Sequence, residues 1–172
     1  MATKIAINGF GRIGRLFFRQ LCEKPDFEIV AINDLGDVEN LAYLLKHDTV
    51  YGKFEGSLNG IKVFQEKDPA VLPWKDLGVD IIVEATGFFE SFEKAKVHLA
   101  AGAKRVVITA PAKDEDGPNG KTVLMGINES DLSSCLISSN GSCTTNAASP
   151  VVQVLSENPG IKKAILNTVH GY

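Results

Sequence analysis

Asn140-Gly141-Ser142-Cys143-Thr144-Thr145-Asn146 sets a thiol among small hydroxyl and amide side chains, directly after the short apolar run Leu136-Ile137-Ser138. Gly141 permits a tight bend, and Ala147 to Glu157 reads as a helix, so Cys143 falls near a helix N-terminus. The partial positive charge of a helix N-terminus, or a neighbouring imidazolium, favours the thiolate, which is the nucleophilic form of cysteine. His170 closes the next apolar run, Ala164 to Val169, and a strand returning from the helix would carry it alongside as a base. The competing reading of Cys143 is a small buried hydrophobe, the usual fate of a cysteine in a soluble chain. The hydroxyl-rich surroundings argue for chemistry instead.

A second group of residues could hold a phosphate. Ile5-Ala6-Ile7 runs straight into Asn8-Gly9-Phe10-Gly11-Arg12-Ile13-Gly14, a G-x-G-x-x-G pattern at the junction of a strand and a helix. In that setting Gly9 makes the tight turn and Gly11 lets the backbone approach a pyrophosphate. Gly14 lets helix and strand pack closely, with the helix amides facing the anion. Ile13, Leu16, Phe17 and Leu21 recur at helical spacing with Cys22 packed beside them, while Arg15, Arg19 and Glu23 fall on the wet side. Without a ligand the same pattern would be a plain glycine-rich turn.

The next run, Glu28 to Asn33, is a second strand and ends at Asp34, where a dinucleotide fold places a carboxylate against the adenosine ribose hydroxyls. A 2′-phosphate about 4 Å from that charge would be repelled by roughly 4 kcal/mol per unit charge at an effective dielectric near 20, which selects NAD over NADP. Asp34 could also be a turn aspartate, but Asp37 suits that role better because Val38, Leu41, Ala42 and Leu45 form a helical stripe after it.

These sites need a scaffold. Ile61 to Phe64, Val79 to Glu84, Arg105 to Thr109, Thr122 to Met125 and Leu136 to Ser138 continue the apolar strands, and Lys46 to Lys62 is a loop with one short hairpin. Ser91 caps a helix through Ala95, Val97, Leu99 and Ala100 that closes at Gly102, with His98 on its surface and Trp74 at the core edge. Alternating strands and helices predict an α/β fold, a doubly wound, mostly parallel sheet of six or more strands. Gly9, Asp34, Thr86, Thr109 and Cys143 all follow strands on one edge, the edge where such a sheet binds its ligand.

The 172 residues are 44% hydrophobic and 23% charged, a globular composition. A net charge of −3 and a pI near 5.6 argue against nucleic acid or an anionic membrane as the main partner. Three cysteines without metal-ligand spacing predict no metal and a reducing, cytoplasmic setting. No signal peptide or membrane-spanning run is apparent.

With Ser142-Cys143-Thr144-Thr145-Asn146 and the glycine turn in view, the chain resembles the N-terminal half of phosphorylating glyceraldehyde-3-phosphate dehydrogenases. The resemblance implies NAD-dependent oxidative phosphorylation of glyceraldehyde 3-phosphate through a thioester on Cys143, with His170 as base and Ser142 and Thr144 binding substrate or phosphate. It assigns cofactor contacts to Asn8, Gly9, Phe10, Gly11, Arg12, Ile13 and Asp34, and adds Lys67, Thr86, Gly87 and Thr109. Glu66 and Asp68 beside Lys67 read equally well as a solvated cluster. The excursion between Phe54 and Val63 is shorter than in the family.

The expected division is a Rossmann-type NAD-binding domain over 1–142 and, over 143–172, the cysteine helix and first strand of a truncated catalytic domain. As a fragment the chain would be inactive alone, with Ala164 to Tyr172 an unpaired apolar strand unless a docked C-terminal chain covers it. The complete enzyme would be a homotetramer. An inactive NAD-binding module, and a sister dehydrogenase acting on erythrose 4-phosphate, are the alternatives.

Overall fold

β1 (Thr3–Asn8) is apolar on both sides because both of its faces are covered: Ile5 and Ile7 enter one core layer and Ala6 the other. In the computed structural model, which describes residues 2–171, the chain continues through α1 (Arg12–Leu21), β2 (Phe27–Asn33) and α2 (Val38–Lys46). A small antiparallel hairpin, β3 (His47–Asp48) with β4 (Gly52–Lys53), precedes β5 (Lys62–Phe64) and the single turn α3 (Trp74–Leu77). β6 (Ile81–Glu84), α4 (Phe92–Ala100), β7 (Arg105–Ile108), β8 (Lys121–Thr122), β9 (Ile137–Ser139) and α5 (Cys143–Glu157) follow.

Among the described residues seven strands form one sheet in the order β5-β2-β1-β6-β7-β9-β8, and every neighbouring pair is parallel. This is the doubly wound, Rossmann-type arrangement expected from the sequence. The chain runs outward from β1 through β2 to β5, then returns to the other side of β1 with β6. The carboxyl ends of β1 and β6 therefore diverge into a crevice at the point where the strand order reverses.

The two core layers divide by strand parity. Ile5, Ile7, Ile32 and Val83 pack with Phe10, Phe18, Leu41 and Leu45 on the α1/α2 side. Ala6, Ala31, Ile82, Val106 and Ile108 pack with Trp74, Phe92 and Ala95 on the α3/α4 side. Caps fall where the sequence places them. The Asp37 carboxylate accepts from Asn40 N, the Ser91 hydroxyl accepts from Lys94 N, and Gly102 takes the left-handed conformation after α4 with φ +105°.

Several expectations are corrected. Cys22 is exposed rather than packed: it is the C-cap of α1, where the apolar stripe has run out after Leu21. Trp74 and His98 are fully buried rather than at the core edge or on the surface, because each satisfies its polar nitrogen inside the fold. The strand at Thr122 ends there instead of reaching Met125. Asn128 folds the chain back by accepting from Leu124 N and donating to Thr122 O.

The stretch from Ala164 to Gly171 is exposed and forms no strand, since a strand needs a hydrogen-bonding neighbour and none of the described residues supplies one. Met1 and Tyr172, which begin and end stretches read above, lie outside the described residues. No helix among the described residues is long and apolar enough to cross a membrane.

Candidate functional site

A cleft of about 380 Å³ opens at the carboxyl ends of β1, β2 and β6, within the size range of small-molecule sites. Its floor is built by glycines. Gly9 has φ +94°, and a Cβ there would lie 2.6 Å from Ala85 C and Thr86 N, so only glycine lets the β1 tip close against the β6 tip. A Cβ on Gly14 would meet Gly9 O at 2.1 Å, which fixes α1 tightly against the turn. Gly11 is the exception: a Cβ there would have nothing within 4 Å, because Gly11 faces the open cleft.

Gly11 is also the N-cap of α1, and no side chain caps that helix end. Its unpaired amides and the positive end of the helix dipole are thus offered to a ligand, an arrangement suited to a pyrophosphate. Arg15 steadies the turn by donating from Nη1 to Phe10 O at 2.9 Å. Burial, and the positive charge of nearby Arg12, lower the Arg15 pKa from its ordinary value. Arg12 and Ile13 are exposed in the first turn of the helix, while the Phe10 side chain turns into the core.

Asp34 stands at the end of β2 with its carboxylate turned to the glycine turn. Oδ2 accepts from Phe10 N at 2.6 Å and Oδ1 from Gly36 N at 2.8 Å. Each oxygen keeps a lone pair for a ribose hydroxyl. Asn8, Gly9, Gly11, Asp34, Lys67 and Thr86 line the cleft as the sequence placed them. The open space over Gly11, the uncapped amides and the Asp34 oxygens fit an NAD adenosine and pyrophosphate.

Gly87 and Thr109 sit beside the cleft rather than in its wall. Gly87 turns the chain after Thr86 with φ +76°, and the Thr109 amide and hydroxyl both donate to Glu84 O at 3.0 Å. The sequence reading missed Asn33, Leu35, Pro69, Phe88 and Phe89, and it left Glu66 open; all six line the cleft. Asn33 was the legible one, a polar residue ending an apolar strand.

The cysteine stands three strand positions along the same sheet edge, after β9. Cys143 is exposed and is the first residue of α5, capped by Ser142, whose hydroxyl accepts from Thr145 N at 2.9 Å. Asn146 pins the loop by donating to Asn140 O and Ser142 O at 2.7 and 2.9 Å. Gly141 has φ +68°, and Ser139 ties the loop to the chain leaving β7 through Ala110 O and Ala112 N. Thr144 is half-buried beside the thiol in this first turn. His170 is not brought to Cys143: its Nε2 lies 3.4 Å from Thr168 Oγ1 in the exposed terminal stretch.

Residues 3–92 match the family model for the glyceraldehyde 3-phosphate dehydrogenase NAD-binding domain, which is more than half of the chain. The chain belongs to the glyceraldehyde-3-phosphate dehydrogenase family. Residues 142–172 match the model of that family's C-terminal domain. The glyceraldehyde-3-phosphate dehydrogenase of Thermotoga maritima is 52% identical over 184 aligned positions, covering 99% of this chain and 54% of the relative. Those of Clostridium pasteurianum and Geobacillus stearothermophilus are 47% and 48% identical, and the chain covers 53% and 54% of them. The chain thus spans about half the length of the curated relatives it matches. Residues 3–92 match the family's NAD-binding domain, so the cofactor of this half is NAD.

Proposed function

We propose that the chain is the cofactor-binding and nucleophile-bearing part of an NAD-dependent dehydrogenase that oxidises and phosphorylates glyceraldehyde 3-phosphate. The observation that carries this reading is that one sheet edge presents both an uncapped glycine turn beside Asp34 and an exposed cysteine at the first position of a helix. In this reading 1–142 is the NAD-binding domain and 143–172 opens the catalytic one.

Cys143 Sγ attacks the aldehyde carbon, and the carbonyl oxygen takes the proton that the thiol gives up, becoming the hydroxyl of a thiohemiacetal. The amides of Cys143 and Thr144, at the start of α5, are placed to favour the developing oxyanion. His170 takes the thiohemiacetal proton, which requires the terminal stretch to bring it to the thiol. Bound in the cleft, NAD supplies the hydride acceptor. Ser142 and Thr144 orient substrate or inorganic phosphate, whose oxygen then displaces Cys143 from the acyl carbon. Asn8, Gly9, Phe10, Gly11, Arg12, Ile13, Asp34, Lys67, Thr86, Gly87 and Thr109 bind or frame the cofactor. The unpaired cysteines suit a cytoplasmic setting, and the complete enzyme is proposed as a homotetramer.

Titration of the chain with NAD and NADP, with NADH formation from glyceraldehyde 3-phosphate plus phosphate measured alongside, tests the reading. Preference for NADP, or no binding of either, would overturn it. A second reading, an NAD-binding module without turnover, is favoured by the setting of His170, whose Nε2 meets Thr168 Oγ1 in an exposed stretch that forms no strand. NAD binding with no NADH formed, even when the missing half is added as a separate chain, would select it. Turnover with erythrose 4-phosphate in preference would select the sister enzyme.

A further inference from the structure

Beneath the cleft runs a chain of hydrogen bonds that starts from Trp74, His98 and Glu84, none of which lines the cleft, and reaches it through Asn8 and Asn33. Trp74 Nε1 donates to His98 Nδ1 at 3.3 Å, and His98 Nε2 lies 2.9 Å from Glu84 Oε2. Asn8 Nδ2 donates to the same Glu84 oxygen at 2.6 Å. Asn33 Nδ2 donates to Asn8 Oδ1 at 2.7 Å, and Glu66 N donates to Asn33 Oδ1 at 2.8 Å. The other Glu84 oxygen accepts from the Thr86 amide at 2.8 Å and also from the Thr86 hydroxyl. Trp74 and His98 are wholly buried, and Glu84 is 2% exposed.

The partners settle the protons. An indole N–H can only donate, so His98 Nδ1 must accept, and Nε2 carries the proton that it donates to Glu84. Glu84 therefore receives four donors, from Thr86 twice, Asn8 and His98. That number matches the four acceptor sites of an ionised carboxylate and of no neutral side chain of its shape. A glutamine would turn its amide either toward Asn8 and His98 or toward Thr86, setting donor against donor both ways.

We propose that Glu84 is a positioning residue of the dinucleotide cleft. Its carboxylate fixes Thr86 and Asn8, at the tips of β6 and β1, in the places where they meet NAD, and His98 is the fixed donor that holds the carboxylate. The proposal rests on the NAD reading above. Glu84 touches no reacting atom and acts through Thr86 and Asn8.

The 172-residue chain and four variants are titrated with NAD by calorimetry at a temperature where all are folded, and amide exchange is followed at Thr86. E84Q is expected to weaken NAD binding about tenfold, the effect of losing a hydrogen bond to a charged group, and to speed exchange of the Thr86 amide. H98Q keeps a donor toward Glu84 and an acceptor toward Trp74 and is expected to bind within about threefold of the parent, whereas H98L follows E84Q. V79A, a core truncation just before β6, lowers the melting temperature and leaves affinity unchanged. E84Q binding like the parent with slow Thr86 exchange would overturn the proposal, as would V79A losing affinity in step with its stability. If the parent chain binds no NAD, the dinucleotide reading fails by itself, and Thr86 exchange in E84Q still decides whether Glu84 fixes the β6 tip.

Discussion

Alanine at Gly11 and at Gly14 should separate the fold of the glycine turn from its use. At Gly14 the new methyl would stand 2.1 Å from Gly9 O, 3.1 Å from Gly9 C and 3.3 Å from the Ile7 side chain. A carbon needs more than 3 Å from a carbonyl oxygen, and the obstructing group is backbone, so α1 must slide by about 1 Å off β1. Overpacking of that kind costs about 1–3 kcal/mol, against which alanine returns ~1 kcal/mol of helix propensity. Gly11→Ala meets nothing within 4 Å and has φ −68° there, so its cost to the fold is a few tenths of a kcal/mol at the cap.

The ligand tells the two apart in the opposite sense. The Gly11 methyl enters the cleft itself, holds a pyrophosphate off the α1 amides and forfeits one or two charge-assisted hydrogen bonds. At ~1.5 kcal/mol or more each, that weakens NAD by roughly tenfold to a hundredfold. Thermal melts and calorimetric NAD titrations of both variants are the assay. Gly14→Ala should lose melting temperature and affinity together, and Gly11→Ala affinity alone. Unchanged NAD affinity in Gly11→Ala would show that the ligand does not approach the turn, and the cleft assignment would fall.

Asp34→Asn leaves one backbone amide, that of Phe10 or Gly36, facing an NH₂ group. It should weaken NAD at least tenfold and narrow the preference over NADP, measured by parallel titrations. Under native alkylation Cys143 should react first, Cys22 more slowly because partial desolvation of its thiol, though the residue is exposed, and then Glu23 raise its pKa, and buried Cys135 last; peptide mapping reads the order. Asp80 is held below the ordinary aspartate value of 3.8, first by Lys104 and then by the Lys4 amide. Its contribution to stability is therefore complete above that value and is lost as pH falls through the lowered one. Asp80→Asn should flatten the acid limb of the melting-temperature profile below about pH 4. Replacing His170 by Ala should leave NAD affinity unchanged and abolish any turnover of the reconstituted enzyme.

The parallel strands were legible because Ile5–Ile7, Glu28–Asn33 and Val79–Glu84 are nearly continuous apolar runs, and the caps because Asp37, Ser91 and Gly102 act through local chemistry. The glycine turn and the placing of Asp34 beside it were legible because both belong to one unit of strand, turn, helix and returning strand, β1 to β2. His98 was misread because its burial depends on Glu84 and Trp74, residues 14 and 24 positions away, and no helical period reveals such partners. Cys22 was misread because periodicity does not say where a helix stops burying its stripe. The Ala164 stretch has strand composition, but a strand is a property of two segments and composition describes one.

The Asp34 carboxylate carries two duties on the same two oxygens. In the cofactor role proposed for it, it sets the charge that a 2′-phosphate would have to overcome, and in the fold it ties down the Phe10 and Gly36 amides that shape the turn. A change of cofactor preference therefore cannot be reached by neutralising this position alone. Any path toward NADP must first install another acceptor for those amides, and the order of the two substitutions determines whether the intermediate protein keeps a working turn.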